Sequence, residues 1–226
     1  MAQHSWEEVA RAIDHSLLHP AMGDAELEAG CRASAEWGVA SVCVKPYFVA
    51  RAHDLLEGTR VKAITTVGFP HGGHAISVKV AEAKTALSQG AEELDVVINI
   101  GKAKSGDWSY VEDEIAALVE AAHHGGSMLK VIFENCYLTD DEKRHLCRIS
   151  RSAGADFIKT STGFGDGGAT DEDLRLMLHE AGEEMGVKAA GGIRSYDRAA
   201  TLLDMGVRRI GATQTARILA ECRGQA

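Results

Sequence analysis

Short apolar runs rich in β-branched residues alternate along the chain with longer stretches whose hydrophobic positions recur at helical spacing. The period-two or fully apolar runs predict strands at 11–16, 41–45, 61–67, 93–98, 128–134, 157–160, 187–190 and 209–211. The amphipathic stretches between them predict helices at 24–37, 47–56, 75–89, 108–123, 140–152, 170–184, 196–204 and 213–221. Asp24, Thr139 and Thr170 stand where N-caps belong, and Gly38, Gly90, Gly154, Gly186 and Gly206 stand just past helix ends, where a left-handed residue is needed. Each of these glycines is followed by Val or Ala and then by a predicted strand, so the Gly-(Val/Ala) phrase marks the turn from helix to strand.

Strands that alternate with helices pair in parallel through right-handed crossovers. Eight such units within 226 residues predict an α/β fold of the (β/α)₈ TIM-barrel type: a single domain over residues 1–226, with a short leading helix near 5–10 at the barrel bottom. A doubly wound open sheet is the alternative, weakened because no G-x-G-x-x-G follows the first strand. No linker or low-complexity tract interrupts the pattern.

Composition narrows the class. The chain is 45% hydrophobic with only 3 prolines, enough apolar material for one compact core. Its 24 basic and 33 acidic residues give a net charge of −9, with the bases dispersed, so nucleic acid is not an expected partner. No long apolar run predicts a membrane span, acids precede any hydrophobic stretch at the N-terminus, and a cytoplasmic location is expected. Five cysteines without a C-x-x-C pair read as reduced thiols rather than a disulfide framework or zinc site.

In a β/α barrel, function collects at the C-terminal ends of the strands. The polar residues predicted there are Asp14, Lys45, Asp95, Asn99, Lys130, Glu134, Lys159 with Thr160 and Ser161, Lys188 and Arg194. A lysine inside an apolar strand is disfavoured unless it points into the barrel mouth and meets a counter-charge. Lys159 and Lys188 sit on consecutive strands, so each ammonium disfavours the other's charge, leaving one amine neutral and nucleophilic. Asp95 supplies a carboxylate in an equally apolar strand, placed to move a proton. The competing reading is a purely structural ion-pair cluster. Three neighbouring glycine-rich turns, 163–168, 191–194 and 211–213, offer backbone N–H groups for a phosphate, with Arg194 adding charge; taken singly they are only tight βα turns.

Together these segments resemble the deoxyribose-phosphate aldolases, the DeoC type of class I aldolase. The resemblance is carried by Ile13-Asp14-His15-Ser16-Leu17-Leu18, Val42-Cys43-Val44-Lys45-Pro46, Val67-Gly68-Phe69-Pro70 with Lys79 and Glu82-Ala83, residues 93–101, Lys130-Val131-Ile132, residues 157–165 and residues 188–194. It implies reversible cleavage of 2-deoxy-D-ribose 5-phosphate to D-glyceraldehyde 3-phosphate and acetaldehyde, with no metal and no cofactor. It implies Lys159 as the Schiff-base lysine, Lys188 as the second lysine that lowers its pKa, and Asp95 as the acid/base aspartate. Gly163, Gly191, Gly192, Arg194, Gly211 and Thr213 fall on or beside the implied phosphate cradle, while Asp14, Cys43, Lys130 and Thr160 match substrate-side positions. Homo-oligomers, dimers or tetramers, are implied as well. The chain departs from the family pattern at Gln214, where serine is usual, at His19 and at Asn135. The Gln214 departure motivates an alternative, a related imine-forming aldolase acting on a different, unphosphorylated aldehyde. A catalytically silent barrel is a third reading, disfavoured by the retention of Lys159, Lys188 and Asp95 together.

Other chemistry-bearing residues read as ordinary. His71 and His74 lack a third metal ligand nearby and are expected in solvent. His123 and His124 complement a helix C-terminus. Cys43 and Cys136 are expected to be buried thiols, and the run 140–144, acids before bases, is the solvated start of a helix.

Overall fold

The computed structural model describes residues 4–224. Eight parallel strands close in sequence order into a barrel: β1 (Ile13–Leu17), β2 (Ser41–Val44), β3 (Lys62–Val67), β4 (Glu93–Val97), β5 (Met128–Ile132), β6 (Phe157–Lys159), β7 (Gly186–Ala190) and β8 (Arg209–Ala212). The helices are α1 (Trp6–Ala12), α2 (Asp24–Trp37), α3 (Val49–Leu56), α4 (Ile76–Ser88), α5 (Ile100–Lys104), α6 (Trp108–His124), α7 (Asp140–Ala153), α8 (Asp171–Ala181), α9 (Tyr196–Asp204) and α10 (Thr215–Cys222). The closed barrel replaces the open doubly wound alternative, and the leading helix α1 runs directly into the N-terminal end of β1. No described helix is long and apolar enough to cross a membrane.

The period of two along each strand sorts residues to opposite faces. Val42, Leu94, Val96, Leu129, Val131 and Ile158 face outward and pack against the helices in the continuous core. The alternate positions, among them Asp95, Lys130, Lys159 and Lys188, are buried too, but they carry charge. A second, smaller apolar cluster of Leu18, Cys43 and Ile64, with Phe69 packed on it, sits apart from the main core. Thr139 caps α7 in a reciprocal capping box with Glu142, and Gly38 and Gly154 adopt left-handed conformations after α2 and α7.

Four local expectations are corrected. Gly23, not Asp24, is the N-cap of α2, which makes Asp24 the first helical residue and places its charge at the positive end of the helix dipole. Gly186 is the first residue of β7 rather than a left-handed cap; a Cβ there would lie 2.3 Å from the Phe157 ring, so the glycine admits the neighbouring strand's aromatic. The loop after β4 contains α5, a helix too short to show a period, capped by the side chain of Asn99 accepting from Lys102 N–H. A 3₁₀ turn, Pro46–Phe48, likewise precedes α3 where continuous helix was expected.

Candidate active site

Strand register assembles the charged residues of the barrel interior. Asp95 on β4 stands opposite Lys130 on β5, and Lys159 on β6 stands opposite Lys188 on β7. The Asp95 carboxylate is the hub: its Oδ2 accepts from Lys159 Nζ and from Lys188 Nζ, both at 2.7 Å, and its Oδ1 from Lys130 Nζ at 3.0 Å. Lys188 also pairs with Asp14 Oδ2 at 2.5 Å, and Lys130 with Glu93 Oε2 at 2.6 Å. Arg209 closes the ring by bridging Asp14 and Glu93. Lys62 approaches Glu93 from the more exposed side, at 2.9 Å.

The charge balance decides which member gives up a proton. Within the enclosed ring, four cations (Lys130, Lys159, Lys188 and Arg209) face three carboxylates (Asp14, Glu93 and Asp95). Losing one proton balances the set. Lys188 touches two carboxylates, as does Lys130, whereas Lys159 touches Asp95 alone. Burial opposes charge on Lys188, but Asp14 and Asp95 outweigh it, and its pKa is raised; Lys130 is raised in the same way. Lys159 is the one lysine of this ring whose pKa is lowered: burial is the largest cause, Asp95 opposes it, and the Lys188 charge adds to it. Desolvation, rather than the charge of the second lysine expected to depress it, is the larger contributor. Asp95 and Asp14 are also buried, yet the surrounding cations hold both carboxyls well below the usual range.

A cavity of about 630 Å³ opens over this ring. Asp14, Cys43, Lys159 and Lys188 contribute to its lining, and Gly163, Gly191, Gly192, Arg194, Gly211 and Thr213 line it from the loops after β6, β7 and β8. The loops touch. Gly168 packs so closely that a Cβ on it would meet the Gly191 carbonyl oxygen at 2.5 Å, and Gly191 itself has φ +86°. Arg194 is exposed and has no ion-pair partner among the described residues.

Other predicted residues lie off the cavity lining. Asp95 and Lys130 are fully buried and do not line the cavity; they form the layer beneath Lys159 and Lys188. Thr160 is buried as well, its hydroxyl accepting from Ala190 N–H and donating to Ala190 C=O, which ties β6 to β7. Lys45 is a strap, donating to the carbonyls of Pro20 and Met22 in the loop after β1. Burial pushes the Cys43 thiol up to about 11, away from nucleophilic use. Cys136, expected to be buried, is exposed, because the 3₁₀ turn at 135–137 turns it outward. His71 and His74 are exposed.

Sequence reasoning missed Glu93, Arg209, His15 and Phe164. Glu93 lies two residues before Asp95 on the same strand, so the period of two already assigned it to the charged face. Arg209 carried no such marker, since an arginine at a strand start is ordinarily solvated. His15 lines the cavity, bonded through Nδ1 to Thr215 Oγ1 at 2.8 Å; burial lowers its pKa to about 4, so it is neutral at neutral pH.

A closed β/α barrel with a buried lysine of lowered pKa at a cavity over its charged interior defines a class, the β/α-barrel enzymes. Comparison with known proteins narrows it. The family described as DeoC/LacD family aldolase matches residues 8–217. The chain is 49% identical to the deoxyribose-phosphate aldolase of Rhodopirellula baltica, across 100% of this chain and 93% of that one. It is 48% identical to the corresponding enzyme of Caldanaerobacter subterraneus subsp. tengcongensis, across 99% and 97%. Among solved structures, the tetrameric deoxyribose phosphate aldolase of Aeropyrum pernix superposes with a TM-score of 0.92 at 32% identity, covering 98% of this chain and 94% of that one. The chain belongs to the DeoC/LacD family of aldolases.

Proposed function

We propose that the chain is a class I aldolase that reversibly cleaves 2-deoxy-D-ribose 5-phosphate into D-glyceraldehyde 3-phosphate and acetaldehyde, through an imine on Lys159. The observation that carries this reading is the Lys159 amine: it lines the cavity, its pKa is lowered, and it donates to Asp95 at 2.7 Å. One N–H given to the carboxylate below leaves the lone pair of a neutral amine free toward the cavity.

The chemistry follows from that arrangement. Lys159 Nζ adds to the aldehyde carbon of the open-chain sugar, and loss of water gives an iminium. The C2–C3 bond then breaks as the C3 hydroxyl loses its proton; the electron pair enters the iminium as an enamine, and D-glyceraldehyde 3-phosphate leaves. Protonation of the enamine carbon and addition of water release acetaldehyde and regenerate the amine. The iminium serves as the electron sink, so no free enolate forms. Lys188, which lines the cavity and shares Asp95 Oδ2 with Lys159, is the group placed to pass protons to and from the substrate. Asp95 acts from beneath, accepting hydrogen bonds from both amines and carrying charge between them. The glycine turns around 163 and 191–192, together with Arg194 and Thr213, hold the 5-phosphate through backbone N–H groups and the guanidinium. Lys130 and Thr160 act indirectly, one anchoring Asp95 and the other joining β6 to β7.

The tetrameric Aeropyrum pernix relative supports assembly of this chain into a homo-oligomer. Borohydride reduction in the presence of acetaldehyde, followed by peptide mapping, tests the reading. An ethyl adduct of +28 Da on Lys159 is expected from the chemistry of reductive alkylation; an adduct confined to other lysines overturns it. Gln214 at the loop after β8 favours the second reading, an unphosphorylated substrate. A kcat/KM for 2-deoxyribose equal to that for its 5-phosphate would select it.

A further inference from the structure

Glu134 is the one non-glycine residue with positive φ among the described residues, at φ 59° and ψ 64° immediately after β5. Holding a glutamate there costs about 1 kcal/mol or more of backbone strain. Its side chain is 2% exposed. The carboxylate accepts from Thr162 N–H, at 3.2 Å to Oε1 and 3.3 Å to Oε2, and from the Thr162 hydroxyl through a short bond to Oε2. Thr162 Oγ1 in turn accepts from Phe164 N–H at 3.0 Å. A Cβ on Gly165 would stand 3.0 Å from the Glu134 carboxyl carbon, so the turn is wound tightly around this one side chain.

The bonding leaves an asymmetry. The amides of Thr162 and Phe164 are consumed, while that of Gly163 has no partner among the described residues, and Gly163 lines the cavity. Gly163 has φ +88°, and nothing lies within 4 Å of where its Cβ would be. A carboxylate this close to a phosphate site repels the anion; it is tolerable only if what it fixes contributes more than its charge removes.

We infer that Glu134 is a positioning residue, which winds the 162–165 turn so that the Gly163 amide is presented to the anionic end of the substrate. This deepens, and rests on, the aldolase reading above. Glu134 contributes to binding of the anionic group and not to the chemistry at Lys159.

The test compares Glu134→Gly, Glu134→Gln and the parent protein. Glycine removes the carboxylate and accepts the left-handed backbone, so the fold is retained; glutamine keeps an acceptor for Thr162 N–H and a donor for Thr162 Oγ1. For Glu134→Gly, KM for 2-deoxyribose 5-phosphate is expected to rise about tenfold, the effect of one lost charge-assisted contact. Its kcat/KM for unphosphorylated 2-deoxyribose should stay within about twofold of the parent, and Glu134→Gln should restore most of the loss. Titration with inorganic phosphate, followed by calorimetry, gives a readout that needs no turnover, and the same loss of about tenfold is expected there. Equal losses on both sugars, or phosphate binding that tightens when the carboxylate is removed, overturn the inference. A parent protein that cleaves neither sugar overturns the aldolase reading instead, while the phosphate titration still decides the role of Glu134.

Discussion

Two buried lysines in this barrel look alike locally and differ in what they can do. Lys79 on α4 and Lys159 on β6 are both almost wholly enclosed, at 0% and 3% exposure, and each meets a carboxylate at 2.7 Å, Glu114 and Asp95 respectively. Burial lowers the pKa of both. Lys79, however, donates a second bond to the Val97 carbonyl, and Glu114 accepts from Asn99 N–H, so the pair is satisfied within the wall formed by α4, α6 and the end of β4. Lys159 shares its carboxylate with two other lysines and opens on a cavity. Desolvation alone therefore does not make an amine a catalyst. An excess of neighbouring cations and an open path for a carbonyl are also required.

Removing each lysine separates the two roles. Lys159→Ala should cut kcat/KM by about 10⁴-fold or more and abolish the borohydride adduct, because no other group at the cavity supplies a neutral amine. Thermal unfolding of that variant should change little, since it relieves a crowded positive cluster. Residual activity near the parent level, with a native-like melting curve, breaks the contrast.

Lys79→Met should do the opposite. It strands the Glu114 carboxylate and the Val97 carbonyl in a sealed interior, a loss of about 3–5 kcal/mol in denaturant unfolding. Imine formation at Lys159 should survive wherever the variant remains folded. The double change Lys79→Met with Glu114→Gln removes the stranded charge while keeping an acceptor for Asn99, and should recover about 1–2 kcal/mol. A double variant no more stable than Lys79→Met contradicts the pairing argument.

The proton affinity of Lys159 sharpens the comparison through pH. Its folded pKa lies below its unfolded one, so below the folded pKa the charged lysine weakens the fold by a constant amount, and between the two values unfolding takes up a proton. That cost fades as pH rises from the folded pKa toward the ordinary lysine value of about 10.4. Over the same direction the amine becomes nucleophilic, so kcat/KM should rise with pH along an acid limb with an apparent pKa below that of a free lysine. Lys188→Met removes a neighbouring positive charge and should shift the limb upward; a downward shift is inconsistent with the repulsion seen in the ring.

The barrel was legible because the strands are apolar on their outer faces and the helices end in glycine turns, signals that survive in one dimension. Lys159, Lys188 and Asp95 stood out for the same reason, as charges inside apolar runs. What the chain order hides is depth. Asp95 and Lys130 look equivalent to Lys159 along the sequence, yet the stagger of the barrel sets them one layer lower, out of the cavity. Arg209 and Glu93 escaped notice because their importance lies in closing a ring across β8, β1 and β4, contacts separated by more than a hundred residues in the case of Arg209 with Glu93. The strained backbone of Glu134 has no sequence signature, since glutamate carries no preference for positive φ.

The smallest expected effect concerns the rim. Unlike the lysines of the interior, Arg194 is exposed, unpaired among the described residues and attached to the loop after β7. A solvated guanidinium draws an anion by long-range attraction rather than by fixed geometry, so water and salt weaken it. Arg194→Ala should raise KM for 2-deoxyribose 5-phosphate by about threefold to fivefold and leave kcat within about twofold. The difference between parent and variant should shrink as ionic strength rises from about 0.01 M to 0.5 M, where the screening length contracts severalfold. A loss that persists undiminished at high salt would mean that Arg194 makes a closed, desolvated contact with the phosphate, and would move it from the screened rim to the same category as the buried charges below.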